Sequence, residues 1–144
     1  MNSYPVWWDK TLTLYNKYED DKGQITWYKT VLEDCFWKYT GNHVRVNDSV
    51  IATNDTICRI PKSDDYLDYY EWEQLTDKSS YFTIGRGDII VCGEVADDIN
   101  EYESGHRSTD LLNKYRAQGC IEVVEFAINV GKGRVNEHYF VKGV

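Results

Sequence analysis

A chain of 144 residues, 42% apolar and 15% aromatic, is long enough to bury one core and too apolar to remain disordered. Its formal net charge of −8, from 24 acidic against 16 basic side chains, denies it the counterion-release energy that grips a phosphate backbone. Acidic membrane surfaces are poor partners for the same reason, and the excess of Tyr, Trp, Val, Ile and Thr favours strands over helices.

The first ten residues carry Trp7-Trp8 but no basic n-region and no long apolar core, so no secretory leader is expected. No run approaches the ~18 apolar residues of a spanning helix. The alternation of Leu12 and Leu14 against Thr11, Thr13 and Tyr15 predicts a half-buried strand over Lys10–Tyr18, followed by a polar turn ending at Gly23. Ile25–Tyr39 is long and aromatic. Ile25, Trp27 and Val31 share one parity with Cys35 and Trp37, and Glu33 interrupts it, which calls for a bulge or bend near Glu33-Asp34. Thr40-Gly41-Asn42 is expected to turn, Val44–Val46 and Ser49–Thr53 to form a small hairpin around Asn47-Asp48, and Asn54-Asp55 to turn again. Thr56–Ile60 is a short strand stopped by Pro61.

Residues 62–80 break the pattern. Tyr66, Tyr69, Tyr70 and Trp72 lie among six carboxylates with no clean period, which predicts a long inserted loop with a helical turn near Leu67–Glu73. Next comes Tyr81–Val95, which holds the longest apolar run, Ile89–Cys92, entered through Gly85-Arg86-Gly87-Asp88. This is expected to be the central strand, buried on both faces. Ala96–Arg107 is acidic and irregular. Ser108–Ala117 is the one convincing helix, with Ser108 or Thr109 as cap, Leu111, Leu112 and Tyr115 as its apolar stripe, and Gly119 as its stop. Cys120–Val130 is a strand with Val124, Phe126, Ile128 and Val130 on one face, turning at 131–133 into a last strand over Asn136–Val141. The expected architecture is therefore all-β, a mainly antiparallel β-barrel or sandwich of six to eight strands with one short α-helix near 108–117. It forms a single domain over 1–144 that carries the inserted loop 62–80.

Signals for chemistry are sparse. His43, His106 and His138 stand in no nucleophile signature, and CxxC, HExxH and EF-hand spacings are absent, so no catalytic, cofactor-binding or metal-binding residue is assigned. The four Cys, at 35, 58, 92 and 120, each sit in an apolar strand-like stretch and read as reduced and buried. Carboxylate pairs are too abundant to be diagnostic. Arg86-Gly87-Asp88 spells an adhesion tripeptide but leads into a buried strand, so it is taken as a turn. Tyr66, Tyr69, Tyr70 and Trp72 support two readings: protein-interface anchors, or a loop folded over the barrel whose aromatics close one end.

Four stretches occur in order: LTLYNKYEDDKGQITWYKTVLEDCFWK, TICRIPK, YFTIGRGDIIVCGEV and INEYESGHRSTDLLNKYRAQG. Together they resemble a family of small prophage proteins encoded in head and tail gene cassettes. The opening strand–turn–strand, with Asp21-Lys22-Gly23 and the following Trp27, also resembles the start of tailed-phage head-closure (stopper) proteins. The insertion at 62–80 and the helix at 108–117 depart from the simplest stopper pattern. The resemblance implies a non-enzymatic structural protein of the virion, made in the host cytoplasm and assembled as a homo-oligomeric ring at the head–tail junction. Its partners would be portal or adaptor and tail proteins. DNA would pass through an acidic lumen without sequence-specific binding, and no membrane or cofactor is involved. A tail terminator or another minor head–tail protein is the neighbouring role. The alternative of another class is a carbohydrate-binding β-sandwich module of a tail. Loops 41–54 and 62–80 are the expected contact elements.

Overall fold

Polar residues at 20–24 reverse the chain between its first two strands. The Asp20 carboxylate accepts from the Lys22 and Gln24 amides at 2.9 and 2.8 Å, and Gly23 supplies φ +81°. The strands joined here are β1 (Lys10–Glu19) and β2 (Ile25–Val46). A computed structural model describes residues 4–47, 49–131 and 136–144, with 40–46 and 49–54 described by backbone alone. The remaining elements are β3 (Ser49–Pro61), α1 (Tyr69–Glu73), β4 (Ile89–Cys92), α2 (Ser108–Tyr115), β5 (Cys120–Asn129) and β6 (His138–Gly143). All six strands pair antiparallel and close into a barrel in the order β1-β2-β3-β6-β5-β4.

β2 belongs to two ladders. Its first part pairs with β1 as far as Cys35↔Lys10, and its second part pairs with β3 from Phe36↔Arg59 to Val46↔Ser49. The switch falls where Glu33 broke the alternation, at Asp34, whose φ is +57°. The bend also changes which parity faces inward. Leu32 is buried before it and Cys35 after it, while Val31 is exposed. Before the bend, the parity shared by Ile25, Trp27 and Val31 is therefore the outward one. The turns expected at Thr40–Asn42 and Asn54-Asp55 do not exist. Thr40↔Asp55 and Gly41↔Asn54 are ladder pairs, and the small hairpin around Asn47 is the tip of one long hairpin. Asp48 lies outside the described residues.

The barrel interior packs Leu12, Leu14, Ile60, Ile90, Val123 and Val141. A second cluster lies on the outer face of β1 and β4, where Tyr15, Ile89 and Val91 are covered by Ile99 and Leu111. β4 is thus buried on both faces, as its uninterrupted apolar run predicts. β1 is buried on both faces too, contrary to the half-buried expectation. Its outward Thr13 and Tyr15 are roofed by the segment after β4. The Thr13 hydroxyl donates to the Gly93 carbonyl at 2.7 Å, and the Tyr15 hydroxyl to the Asp97 carbonyl at 2.6 Å. Burial first, then the Asp97 carboxylate, raises the Tyr15 pKa.

α2 begins one residue earlier in its capping than Ser108 suggests. Arg107 is the cap residue, and its amide donates to Asp110 Oδ2 at 3.0 Å. The Ser108 amide and hydroxyl instead bind the Glu101 carboxylate at 2.6 and 3.0 Å. Gly119, at φ +125°, ends the helix by donating to the Tyr115 carbonyl, and its missing Cβ leaves room for the Trp37 ring. No helix among the described residues is long and apolar enough to cross a membrane.

Candidate functional site

The barrel has two unlike ends. Along β3 and β6, one end lies at Ile60 and Tyr139 and the other at Thr56 and Val144.

The 62–88 segment closes the Ile60–Tyr139 end. A parallel bridge between Tyr66 and Phe82 folds the segment on itself, with the Leu67 amide on the Phe82 carbonyl at 2.9 Å and the Phe82 amide on the Asp65 carbonyl at 3.0 Å. Asp68 caps α1 by accepting from the Glu71 amide at 2.9 Å. The four sequence-selected aromatics then divide. Tyr66 stacks on Tyr139 with ring centroids 4.3 Å apart, and burial raises the pKa of both hydroxyls. Trp72 is fully buried, edge-on to Tyr18 and Tyr28. Lys78 is buried beside it, its ammonium 4.2 Å from the Tyr18 ring centroid and donating to the Leu75 carbonyl at 2.7 Å. Tyr69 and Tyr70 face outward, Tyr70 at 73% exposure. The insertion therefore forms a plug through Tyr66 and Trp72 and an exposed aromatic surface through Tyr69 and Tyr70. The end-closing reading holds for Tyr66 and Trp72, while Tyr69 and Tyr70 are left exposed.

The plug is pinned by Asp88, which is 4% exposed. Its carboxylate accepts from the Lys17 amide at 3.0 Å, Asn16 Nδ2 at 2.8 Å and the Gly85 amide at 2.9 Å. Asn16, itself buried, also donates to the Thr83 carbonyl at 2.6 Å and accepts from the Thr83 amide. Burial lifts the Asp88 pKa to about 6 despite these three donors. With its carboxylate inside, Arg86-Gly87-Asp88 is a turn and presents no adhesion surface.

The opposite end is open. A cavity of about 570 Å³ is bounded by Trp37 and Tyr39 on β2, by Arg116 and Gln118 after α2, and by Glu122 and Val144. Tyr39 is 60% exposed. From this mouth β2 and β3 continue as a two-stranded arm, Thr40–Val46 against Ser49–Asp55. The arm extends past the last β1 partner, Cys35, and the last β6 partner of β3, Thr56. The expected contact loop 41–54 is thus a β arm by its backbone, and its side chains lie outside the described residues.

β5 carries a further surface that the sequence reading did not select. β4 pairs with it only over Cys120–Glu122, and Val123 exchanges hydrogen bonds with Gly87 and Asp88. A register shift between Val123 and Glu125 marks a bulge at Val124. Beyond it, Glu125–Asn129 pairs with β6 alone among the described residues. Val124, Phe126 and Ile128, placed correctly on one face by periodicity, are exposed at 40, 37 and 42%. The signal was present in the alternation, but alternation does not say which side is covered.

Chemistry at either end is limited. Burial raises the Cys35 and Cys120 thiols to about 12 and holds Cys58 well above its ordinary value, so they stay protonated at neutral pH and are poor nucleophiles. All four Cys are free, but only Cys35 and Cys58 are buried as expected; Cys92 and Cys120 are half-buried. Among the described residues no three His, Cys, Asp or Glu side chains are placed to hold a metal ion.

No curated protein and no solved structure matches the chain. A family described as a family of unknown function (DUF6751) matches residues 7–144, a span that takes in every strand and both helices. The chain belongs to that family.

Proposed function

We propose that this chain is a non-enzymatic structural subunit of a tailed-phage particle, forming a homomeric ring at the head–tail junction in a head-closure role. The observation that carries the reading is the division of the molecule into a closed, plugged barrel and a two-stranded arm leaving its open end. A ring subunit needs a rigid body and projecting elements that reach its neighbours. The plug end presents Tyr69 and Tyr70 beside Asp68 and Glu71, a surface suited to a portal, adaptor or tail protein. The charge of −8 suits a lumen that DNA traverses without adhering. A tail-terminator position in the same neck uses the same features.

The test is deletion of the gene from an inducible prophage. The expected product is DNA-filled heads and separate tails, with a tagged copy restoring joined particles and marking the neck by immunogold. Joined, infectious particles without the gene would sink the reading.

A second reading has a specific observation in its favour. Trp37 and Tyr39 line a cavity that also presents Arg116, Gln118 and Glu122, a combination of aromatic faces and planar polar groups suited to a sugar ring. Saturable glycan binding by the purified chain, abolished by Tyr39→Ala, would favour a carbohydrate-binding module of a tail over the neck role.

A further inference from the structure

We infer that neighbouring copies of this chain join by strand pairing between two edges that each copy leaves open: the outer edge of β2 over Thr40–Val46, and the outer edge of β5 over Val124–Asn129. This rests on the ring reading and names the contact that would build the ring.

Each edge lacks a partner strand among the described residues. β1 leaves β2 at Cys35, and β4 leaves β5 at Glu122. Unpaired backbone donors and acceptors on a strand edge are a template for another strand, and proteins usually blunt such edges with short strands or charge. Neither edge is short. The β2 edge runs seven residues and the β5 edge six, as counted from the bounds of each strand, so they match in reach.

Composition favours pairing one edge with the other over pairing either with its own kind. Val124–Asn129 carries Glu125 and no Lys or Arg, while Thr40–Val46 carries His43 and Arg45 and no carboxylate. Pairing β2 to β5 sets an acidic strand beside a basic one, whereas like charges directly opposite destabilise a sheet. Val124, Phe126 and Ile128 supply exposed apolar area on β5, and Val44 and Val46 stand at alternate positions on β2. A contact between two different edges is heterologous, which propagates head to tail and closes into a ring when the rotation between copies allows.

Reversing and then exchanging the charges tests this, using the purified full chain in analytical ultracentrifugation and negative-stain images. The wild type is expected to self-associate into rings. Arg45→Glu and Glu125→Lys should each weaken association roughly tenfold or more, because each sets like charges across the seam. The double variant should recover most of it, and Phe126→Ser should weaken association without rescue. Circular dichroism and unfolding midpoints confirm that each variant is folded. A monomeric wild type, single reversals that associate like the wild type, or a folded double variant that fails to recover would each overturn the strand pairing. A monomeric chain whose gene deletion still separates heads from tails removes this contact and leaves the neck role standing. Charge-exchange rescue together with joined particles after deletion removes the neck role and leaves the contact.

Discussion

At the plug end Trp72 is fully buried among Tyr18, Tyr28 and Tyr69, whereas at the mouth Tyr39 stands 60% exposed beside a cavity of about 570 Å³. Both ends are rich in aromatic residues, and residue type does not distinguish them. What differs is the chain available to cover them. A 27-residue connection between β3 and β4, counted from Pro61 to Ile89, folds back over the Ile60–Tyr139 end. The mouth is lined by the short turn between α2 and β5 and by Leu112 of α2, and its own strands run outward as the arm. The comparison separates aromatics that stabilise from aromatics free to meet a ligand or partner, and substitutions can break or sharpen it.

The largest effect is expected at Trp72. Trp72→Ala removes a fully buried side chain and should cost about 3–5 kcal/mol in urea unfolding. Trp72→Phe should cost much less, because the indole N–H has no hydrogen-bond partner to lose. A Trp72→Ala variant as stable as the wild type would contradict the plug.

Asp88→Asn comes next. Oδ2 accepts from both Asn16 and Gly85 and Oδ1 from Lys17, and the amide that replaces the carboxyl cannot ionise, so its effect on stability depends on pH. The same carboxyl gives a pH signature. Its folded pKa, about 6, lies above the ordinary value of 3.8, so the folded protein holds this proton more tightly than the unfolded chain. Its contribution is therefore most favourable below about pH 4 and is lost, by about 2–3 kcal/mol, as pH rises to about 6. Unfolding free energies of the wild type and Asp88→Asn between pH 4 and 7 should differ by that slope; parallel profiles would contradict it.

Lys78→Met should cost about 1 kcal/mol, since the thioether fills the space but gives up the ring contact and the Leu75 carbonyl. The smallest effect on stability belongs to Tyr70→Ala, about 0.5 kcal/mol or less in thermal unfolding at this exposed position, whereas Tyr69 packs its ring against Trp72. Under the neck reading Tyr70→Ala should reduce the joining of heads to tails, so stability and assembly would respond to different members of one aromatic cluster.

Much of the architecture is legible in the sequence because strand periodicity and turn chemistry are local. The bend at Asp34, the Asp20–Gly23 hairpin, the doubly buried β4 and the helix ended by Gly119 all follow from residues within a few positions of each other. Three features do not. Thr13 and Tyr15 look solvent-facing until a segment some 80 residues later roofs them. Thr40-Gly41-Asn42 and Asn54-Asp55 carry turn-prone residues, yet Thr40 pairs with Asp55 and Gly41 with Asn54 across one hairpin, a case of tertiary context overriding local propensity. Val124, Phe126 and Ile128 have the alternation of a core strand, but no element among the described residues buries them. For the candidate site, the sequence marked out the aromatic insertion and could not divide it, because burial of Trp72 depends on Tyr18 and Tyr28 from β1 and β2.

β4 is only four residues long, and it joins Ile89–Cys92 to Leu12–Tyr15 on one side and to Cys120–Glu122 on the other. The β1–β2–β3 meander and the β5–β6 hairpin form from near neighbours. The circle closes only when β4 and β6 find strands roughly 80 residues earlier in the chain. Loop-closure entropy is therefore met late, which places refolding in the roughly millisecond-to-second range of non-local β topologies. Until β4 docks, β1 and the apolar β5 each leave an edge exposed. Slow synthesis or a lowered growth temperature should raise the soluble yield, since each gives the last and shortest strand more time to arrive before two unfinished chains meet.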